Sequence, residues 1–188
     1  MPDTGWKNPT AVDAASDWTN SSNVLVSDSV YATTGTAGKI VVPKTFILLP
    51  LLGAGFVGHY YVVSNIEVQV EAYVSGIGTK NVTLDGNLSW DNGSTWTSAT
   101  RSASWVSTEG KSYKSLTGFE AAQNGITWNR AWTESELSNA NFLCKITVAS
   151  ITSFATVFCD NIQVKVTYAR VRHGTRAVLY DEERLLSI

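Results

Sequence analysis

Between Tyr61 and Val74 the chain alternates. Ile66, Val68, Val70, Ala72 and Val74 take every second position, and Glu67, Gln69, Glu71 and Tyr73 fill the gaps. Successive side chains of a strand point to opposite faces, so this period sets aliphatics on one face and polar groups on the other, as in a half-buried antiparallel sheet. The period returns in Val157–Tyr168, where Ile162, Val164, Val166 and Tyr168 alternate with Gln163, Lys165 and Thr167. Further strand signals lie at Val24–Tyr31, Lys39–Leu49, Val82–Trp90, Ser98–Val106, Ser112–Leu116 and Phe142–Ser150. No long helical period competes with them. Thr133 and Glu136 have capping-box spacing, which predicts one short helical turn near 134–139. The expected fold is all-β, an antiparallel β-sandwich of jelly-roll type, with no repeat of blade length to suggest a propeller.

A chain of 188 residues is long enough for one such domain with a real core. The expected body is 24–168, flanked by an N-terminal arm over 1–23 and a C-terminal docking arm over 169–188. Charged residues make up only 16% of the chain, and the net charge is −2. No basic stripe is present, so nucleic acid is not an expected partner. The longest apolar run, Phe46–Val57, is interrupted by Pro50, Gly53 and Gly55 and is too short to span a bilayer. The first residues carry neither a basic start nor an apolar run of signal-peptide type, so synthesis and folding in a reducing cytoplasm are expected. Cys144 and Cys159 fall opposite each other if their segments form a hairpin about Ile151-Thr152, which makes a disulfide geometrically possible. The other reading is two small buried thiols, which the reducing compartment favours. No CxxC and only two histidines, His59 and His173, leave little for a metal site, and no cofactor is implied.

Ser89-Trp90-Asp91-Asn92-Gly93-Ser94-Thr95-Trp96 reads as a hairpin, because Asn-Gly favours the positive φ that a two-residue turn needs at both positions. In this reading Asp91 and Thr95 bond the loop, with Ser89 and Gly93 at its corners, and Trp90 and Trp96 pack about its base. The stretch resembles the Asp-box of sialidases. An enzyme of that kind needs an arginine cluster, yet only Arg101 and Arg130 precede residue 169. Glycosidases of other kinds need two facing carboxylates. Glu67 and Glu71 share a strand face but stand about 13 Å apart by strand rise, too wide for a retaining pair. No nucleophile elbow, zinc motif or phosphate loop is present either, so no catalytic residue is assigned. Trp90, Trp96, Trp105, Trp128 and Trp132 are candidates for a glycan-stacking platform, Trp128 and Trp132 foremost, against the plainer alternative that they fill a core or cover hairpin ends.

The arms hold the other candidates. Trp6 and Trp18 anchor the first. The last twenty residues carry Arg170, Arg172, Arg176 and Arg184 beside Val178, Leu179, Tyr180, Leu185, Leu186 and Ile188. A disordered tail has little reason to carry so many large apolar side chains.

In order along the chain, Asp17-Trp18-Thr19-Asn20, Ser29-Val30-Tyr31-Ala32-Thr33, Ile66–Ala72, Leu88–Trp96, Trp128–Thr133, Leu137–Phe142 and Val164–Tyr168 resemble a pattern of tailed-bacteriophage virion proteins. The resemblance implies a non-enzymatic jelly-roll domain that cements the outer surface of an assembled head, with the major capsid protein as partner and self-association, as a trimer, among its properties. Trp6, Trp18, Leu51, Leu52, Phe56, Arg170, Arg172, Arg176, Tyr180 and Leu185 would then make capsid or subunit contacts. The alternative is a carbohydrate- or receptor-binding module of a phage tail, using Trp128 and Trp132.

Overall fold

A computed structural model describes residues 3–14, 16–43, 59–117, 126–137 and 140–172. Its strands are β1 (Ala32–Thr34), β2 (Lys39–Pro43), β3 (His59–Ser75), β4 (Asn81–Ser89), β5 (Arg101–Val106), β6 (Ser112–Ser115), β7 (Ile126–Thr127), β8 (Arg130–Ala131), β9 (Leu143–Ile151) and β10 (Thr156–Arg172). One four-stranded sheet has the order β1-β10-β3-β6 and a second has β2-β9-β4-β5. Every pairing in them is antiparallel. The architecture is the expected sandwich of jelly-roll type. Short 3₁₀ turns at Ser21–Val24 and Ser135–Leu137 are the helical elements among the described residues, the second falling where the Thr133/Glu136 spacing placed it. There the Thr133 amide donates to Glu136 Oε2 at 2.8 Å.

The alternation holds residue by residue. Ile66, Val68, Val70, Ala72 and Val74 of β3 are buried, as are Ile162, Val164 and Val166 of β10, and they face Leu84, Leu88 and Ile146 of the second sheet in one core. The polar positions line the outer face of the first sheet, where Lys165 pairs with Glu67 across the ladder at 2.8 Å. A register shift between Cys159 and Asn161 breaks the period. Bulges re-aim side chains, and beside this one Asp160 is fully buried yet bound by Lys111 at 2.8 Å and by the Ser29 amide at 3.1 Å.

Three boundaries differ from expectation. Val24–Tyr31 is a 3₁₀ turn and loop rather than a strand, and β1 begins only at Ala32. The strand after the Asn-Gly turn starts at Arg101, so β4 and β5 are joined by a long loop and not by a two-residue hairpin. The last strand runs past Tyr168 to Arg172, with Arg170 opposite Tyr61 and Arg172 opposite His59.

The N-terminal arm closes the sandwich on itself. Asp3 and Lys7 bridge to Thr167 and Val164 of β10. Further on, the Asp13 and Asp17 amides donate to Val41 and Lys39 of β2, each at 2.8 Å. Exposed strand edges carry unpaired amides and carbonyls, and one segment satisfies part of an edge in each sheet. Trp18 is consequently a core residue at 4% exposure, packed against Gly38, and is not available for the outside contact expected of it. Trp6 is half-buried, with Lys165 Nζ 4.7 Å from its ring centre. Leu51, Leu52, Phe56, Arg176, Tyr180 and Leu185 lie outside the described residues.

The hairpin imagined between the cysteines is an arch. β9 belongs to the second sheet and β10 to the first, so Cys144 and Cys159 sit in different layers as free, buried thiols. Burial pushes the Cys144 thiol up to about 12. Burial, then the charges of Asp160 and Glu71, raise Cys159 further. Thiolate is the reactive form. Native protein at pH 8 should therefore leave both thiols unmodified by an alkylating reagent, and denaturant should release both; intact mass spectrometry reads the outcome.

Candidate functional site

Two loops converge at the Ser89 end of β4. The first, between β4 and β5, is built around Ser89, which is fully buried. Its Oγ donates to Asp91 Oδ1 at 2.9 Å and accepts the Gly93 amide at 2.8 Å, while Asp91 Oδ1 also accepts the Thr95 amide at 2.7 Å. Asn92 and Gly93 have φ of 58° and 87°, as the Asn-Gly signal requires. The returning half is fixed to β4: the Thr97 amide donates to Leu88 O at 2.8 Å, and Asn87 Nδ2 donates to the carbonyls of Thr97 and Ala99, each at 3.2 Å. The Asn92 amide ties the turn to Asn141 O at 2.9 Å. Ser89, Asp91, Gly93 and Thr95 are thus linked by hydrogen bonds, within a loop longer than the expected two-residue hairpin.

The second loop is the β7–β8 hairpin, whose turn residues Trp128 and Asn129 both have φ of 58°. A bulky side chain rarely adopts that conformation, and here packing holds it. Trp128 is buried, its Nε1 donates to Ile66 O at 2.8 Å, and the Arg101 guanidinium lies 4.5 Å from the ring centre. Trp132 is also buried and donates from Nε1 to Thr127 O at 2.9 Å. Trp128 and Trp132, foremost among the residues expected in an open glycan platform, are therefore structural. Their indole N–H groups are spent on backbone carbonyls, and Arg130 covers Trp132 at 4.6 Å.

Arg130 locks the two loops together. Its guanidinium stacks on Trp90 at 3.6 Å and donates to Glu136 Oε1 at 2.6 Å. Burial would raise the Glu136 carboxyl, but the Thr133 amide, Arg130 and the Thr133 hydroxyl together hold it below the usual range.

Trp96, partly open as Trp90 is, stands between two depressions. One, of about 280 Å³, is lined by Asp13, Lys39, Val41, Asn92, Leu143 and Lys145 beside Trp96. The other, of about 310 Å³, is lined by Trp90, Thr97, Ser98, Asn129 and Arg130 beside Trp96, with Trp128 at its base. Lys145 Nζ lies 4.3 Å from the Trp96 ring centre. Burial, then the charge of Lys39, hold the Lys145 ammonium below the ordinary lysine range. Asn92, Ser98 and Asn129 are exposed on the rim, and Asn129 Nδ2 reaches Ser98 Oγ at 3.5 Å. The groove thus combines the partly open Trp96 and Trp90 indoles, neutral amide and hydroxyl groups and a lysine pair. The sequence places Trp96 among the platform candidates, with packing across its own turn as the other reading. Its neighbours Lys39, Lys145, Ser98 and Asn129 were not selected, because strand register and loop convergence bring them together rather than any local spacing.

No protein-family profile matches the chain, and no curated protein matches it in sequence. Among solved structures, TmCBM61 in complex with β-1,4-galactotriose is similar at 10% identity and a TM-score of 0.34, over 86% of this chain and 88% of that one. CBM28, a carbohydrate-binding module specific for non-crystalline cellulose, is similar at 10% identity and a TM-score of 0.36, over 83% of this chain and 95% of that one. At these scores, what the groove does is argued from its own side chains.

Asp91 is the hinge of the first loop. The Thr95 side chain, opposed by desolvation, and then the Thr95 amide and Ser89 hydroxyl, hold its carboxyl below the usual range. A depressed carboxylate contributes stability above its unfolded pKa and loses it as pH falls through the folded one. Hydrogen exchange at the Thr95 amide should be protected near neutral pH, lose protection as pH falls below about 4 relative to core amides, and be unprotected at all pH values in Asp91→Ala.

Proposed function

We propose that this chain is a non-enzymatic glycan-recognition module of a phage tail, and that its ligand lies across Trp96. The observation that carries this reading is the ridge itself. A partly open indole, fixed by a stapled loop, divides two shallow depressions rimmed by Asn92, Ser98 and Asn129. Sugar rings offer a C–H face that packs on an aromatic plane and hydroxyls that pair with amide and hydroxyl groups at the edge. Depressions near 300 Å³ suit one or two rings each. Asp13 is the one carboxylate lining either depression, and hydrolysis by paired acids needs two. Recognition without cleavage fits that set. The virion setting rests on the ordered sequence resemblance.

The head-cementing alternative draws less support from the side chains. Of the contacts it used, Trp18 is in the core, Trp6 lies along the outer face of the first sheet, and the remainder fall in the C-terminal strand and arm or in 44–58.

A glycan array followed by calorimetry on the best ligand tests the reading. Trp96→Ala should weaken binding about tenfold or more, as expected for the loss of one aromatic stacking surface. Near-ultraviolet and far-ultraviolet circular dichroism should show the fold retained. Wild-type protein that binds no oligosaccharide, neutral or acidic, sinks the proposal.

A further inference from the structure

The two depressions beside Trp96 differ in charge. The one toward Ser98 and Asn129 has a single cationic lining group, Arg130, whose guanidinium is already bound to Glu136 at 2.6 Å and stacked on Trp90 at 3.6 Å. Its other polar lining groups, Thr97, Ser98 and Asn129, are neutral. The second depression is lined by Lys39 and Lys145, and Asp13 is its one carboxylate.

Strand register puts the two lysines there. Ile40 and Val42 of β2 and Cys144 and Ile146 of β9 point into the core, so Lys39 and Lys145, at the alternate positions, lie on the outer face of the second sheet. Lys145 stands opposite Val41 and Lys39 opposite Thr147. The lysines are therefore diagonal neighbours, about 7–8 Å apart. The N-terminal arm closes the edge of β2 beside them: the Asp17 amide donates to Lys39 O and the Asp13 amide to Val41 O, each at 2.8 Å. The Asp17 carboxylate accepts the Lys39 amide at 3.3 Å. Asn92 and Gly93 of the stapled turn complete the lining.

Like charges at this separation repel. None of the ion pairs among the described residues uses Lys39 or Lys145. The repulsion is felt at Lys145, where burial, and then the charge of Lys39, hold the ammonium below the ordinary lysine range. Lys145 Nζ also lies over the Trp96 ring, 4.3 Å from its centre, so the charge stands at the indole that a sugar would meet. An anion placed beside both ammoniums relieves their repulsion, and in a partly buried site that gain is screened less than at an open surface.

We propose that the ligand is an acidic glycan, that its anionic sugar occupies the depression of Lys39 and Lys145, and that a neutral sugar lies on the Ser98–Asn129 side of Trp96. The inference rests on the glycan reading and adds to it a charge and a direction. A lysine ammonium is a point charge without the planar fork that matches a carboxylate. Carboxylated and sulfated sugars therefore share the chemistry that the depression selects.

A glycan array holding neutral, carboxylated and sulfated oligosaccharides reads the class. Calorimetry on the full chain then compares the best acidic oligosaccharide with its neutral form, carboxyl-reduced or desulfated. The acidic form should bind about tenfold or more tightly than the neutral form, and its acid group names the source. The preference should shrink with added salt and be lost in Lys39→Gln/Lys145→Gln, with circular dichroism checking that variant's fold. Neutral forms bound as tightly as acidic ones by the wild type overturn the inference and leave the glycan reading standing. A preference that survives in the folded variant overturns it by placing the anion elsewhere. Polyglutamate bound as tightly as the acidic oligosaccharide overturns it in favour of a charged patch that does not need a sugar. Protein that binds nothing on the array sinks this inference and the glycan reading together.

Discussion

The ladder between β3 and β10 is the constraint from which the rest of the structure follows. It runs from Ser75–Thr156 to His59–Arg172 and supplies the aliphatic face on which the second sheet is laid. A one-residue slip along it would send every one of those aliphatics to the solvent side. The register is therefore fixed by burial, and with it both ends of the molecule. At the Ser75 end the two strands turn out of the first sheet through arches that present Ile77 and Phe154. Lower on β3, the Ile66 carbonyl accepts the Trp128 indole and Arg101 Nη1. That carbonyl lies beyond the edge paired with β6, so the loops that build the groove take the place of a missing strand.

That use of aromatic donors explains why tryptophan was hard to read. Each indole carries a donor that is costly to bury unsatisfied. Trp105, Trp128 and Trp132 each find a backbone carbonyl and become core. Trp90 is instead covered by Arg130, whose cation is held over both Trp90 and Trp132 while its carboxylate partner Glu136 lies at the outer side. Trp96 stays partly open with Lys145 over its ring. Nothing in the local sequence separates it from Trp128, since both sit near Asn-containing turns. The difference arises from how the loops converge, and a free carbonyl is not a requirement for burial, since Trp18 lies in the core with no partner for its Nε1 among the described residues.

What was legible was whatever burial writes at period two. β3, β4, β9 and β10 were readable to within a few residues, as was the turn at Asn92-Gly93, because its φ values admit few residues. What was not legible was the sheet to which a strand belongs. Cys144 and Cys159 look like hairpin partners along the sequence, and the arch that separates them into two layers has the same turn-rich composition a hairpin would have. The N-terminal arm was misread for a related reason. Its polar, turn-rich residues look like a tether, yet their backbone amides complete the edges of β10 and β2, and its Trp18 follows them into the core.

The low charge of the chain acquires a physical meaning from these contacts. Buried or partly buried charges are costly unless paired, and the charged side chains over the first sheet are nearly all spent on one another: Lys111 with Asp160 and Glu71, Lys165 with Glu67, Lys114 with Glu109. Among the described residues Lys39 and Lys145 stand instead beside Trp96, in a depression whose one lining carboxylate is Asp13. The groove therefore presents an indole, neutral amides and two lysine ammoniums together, whereas the ladder charges over the first sheet are held in pairs.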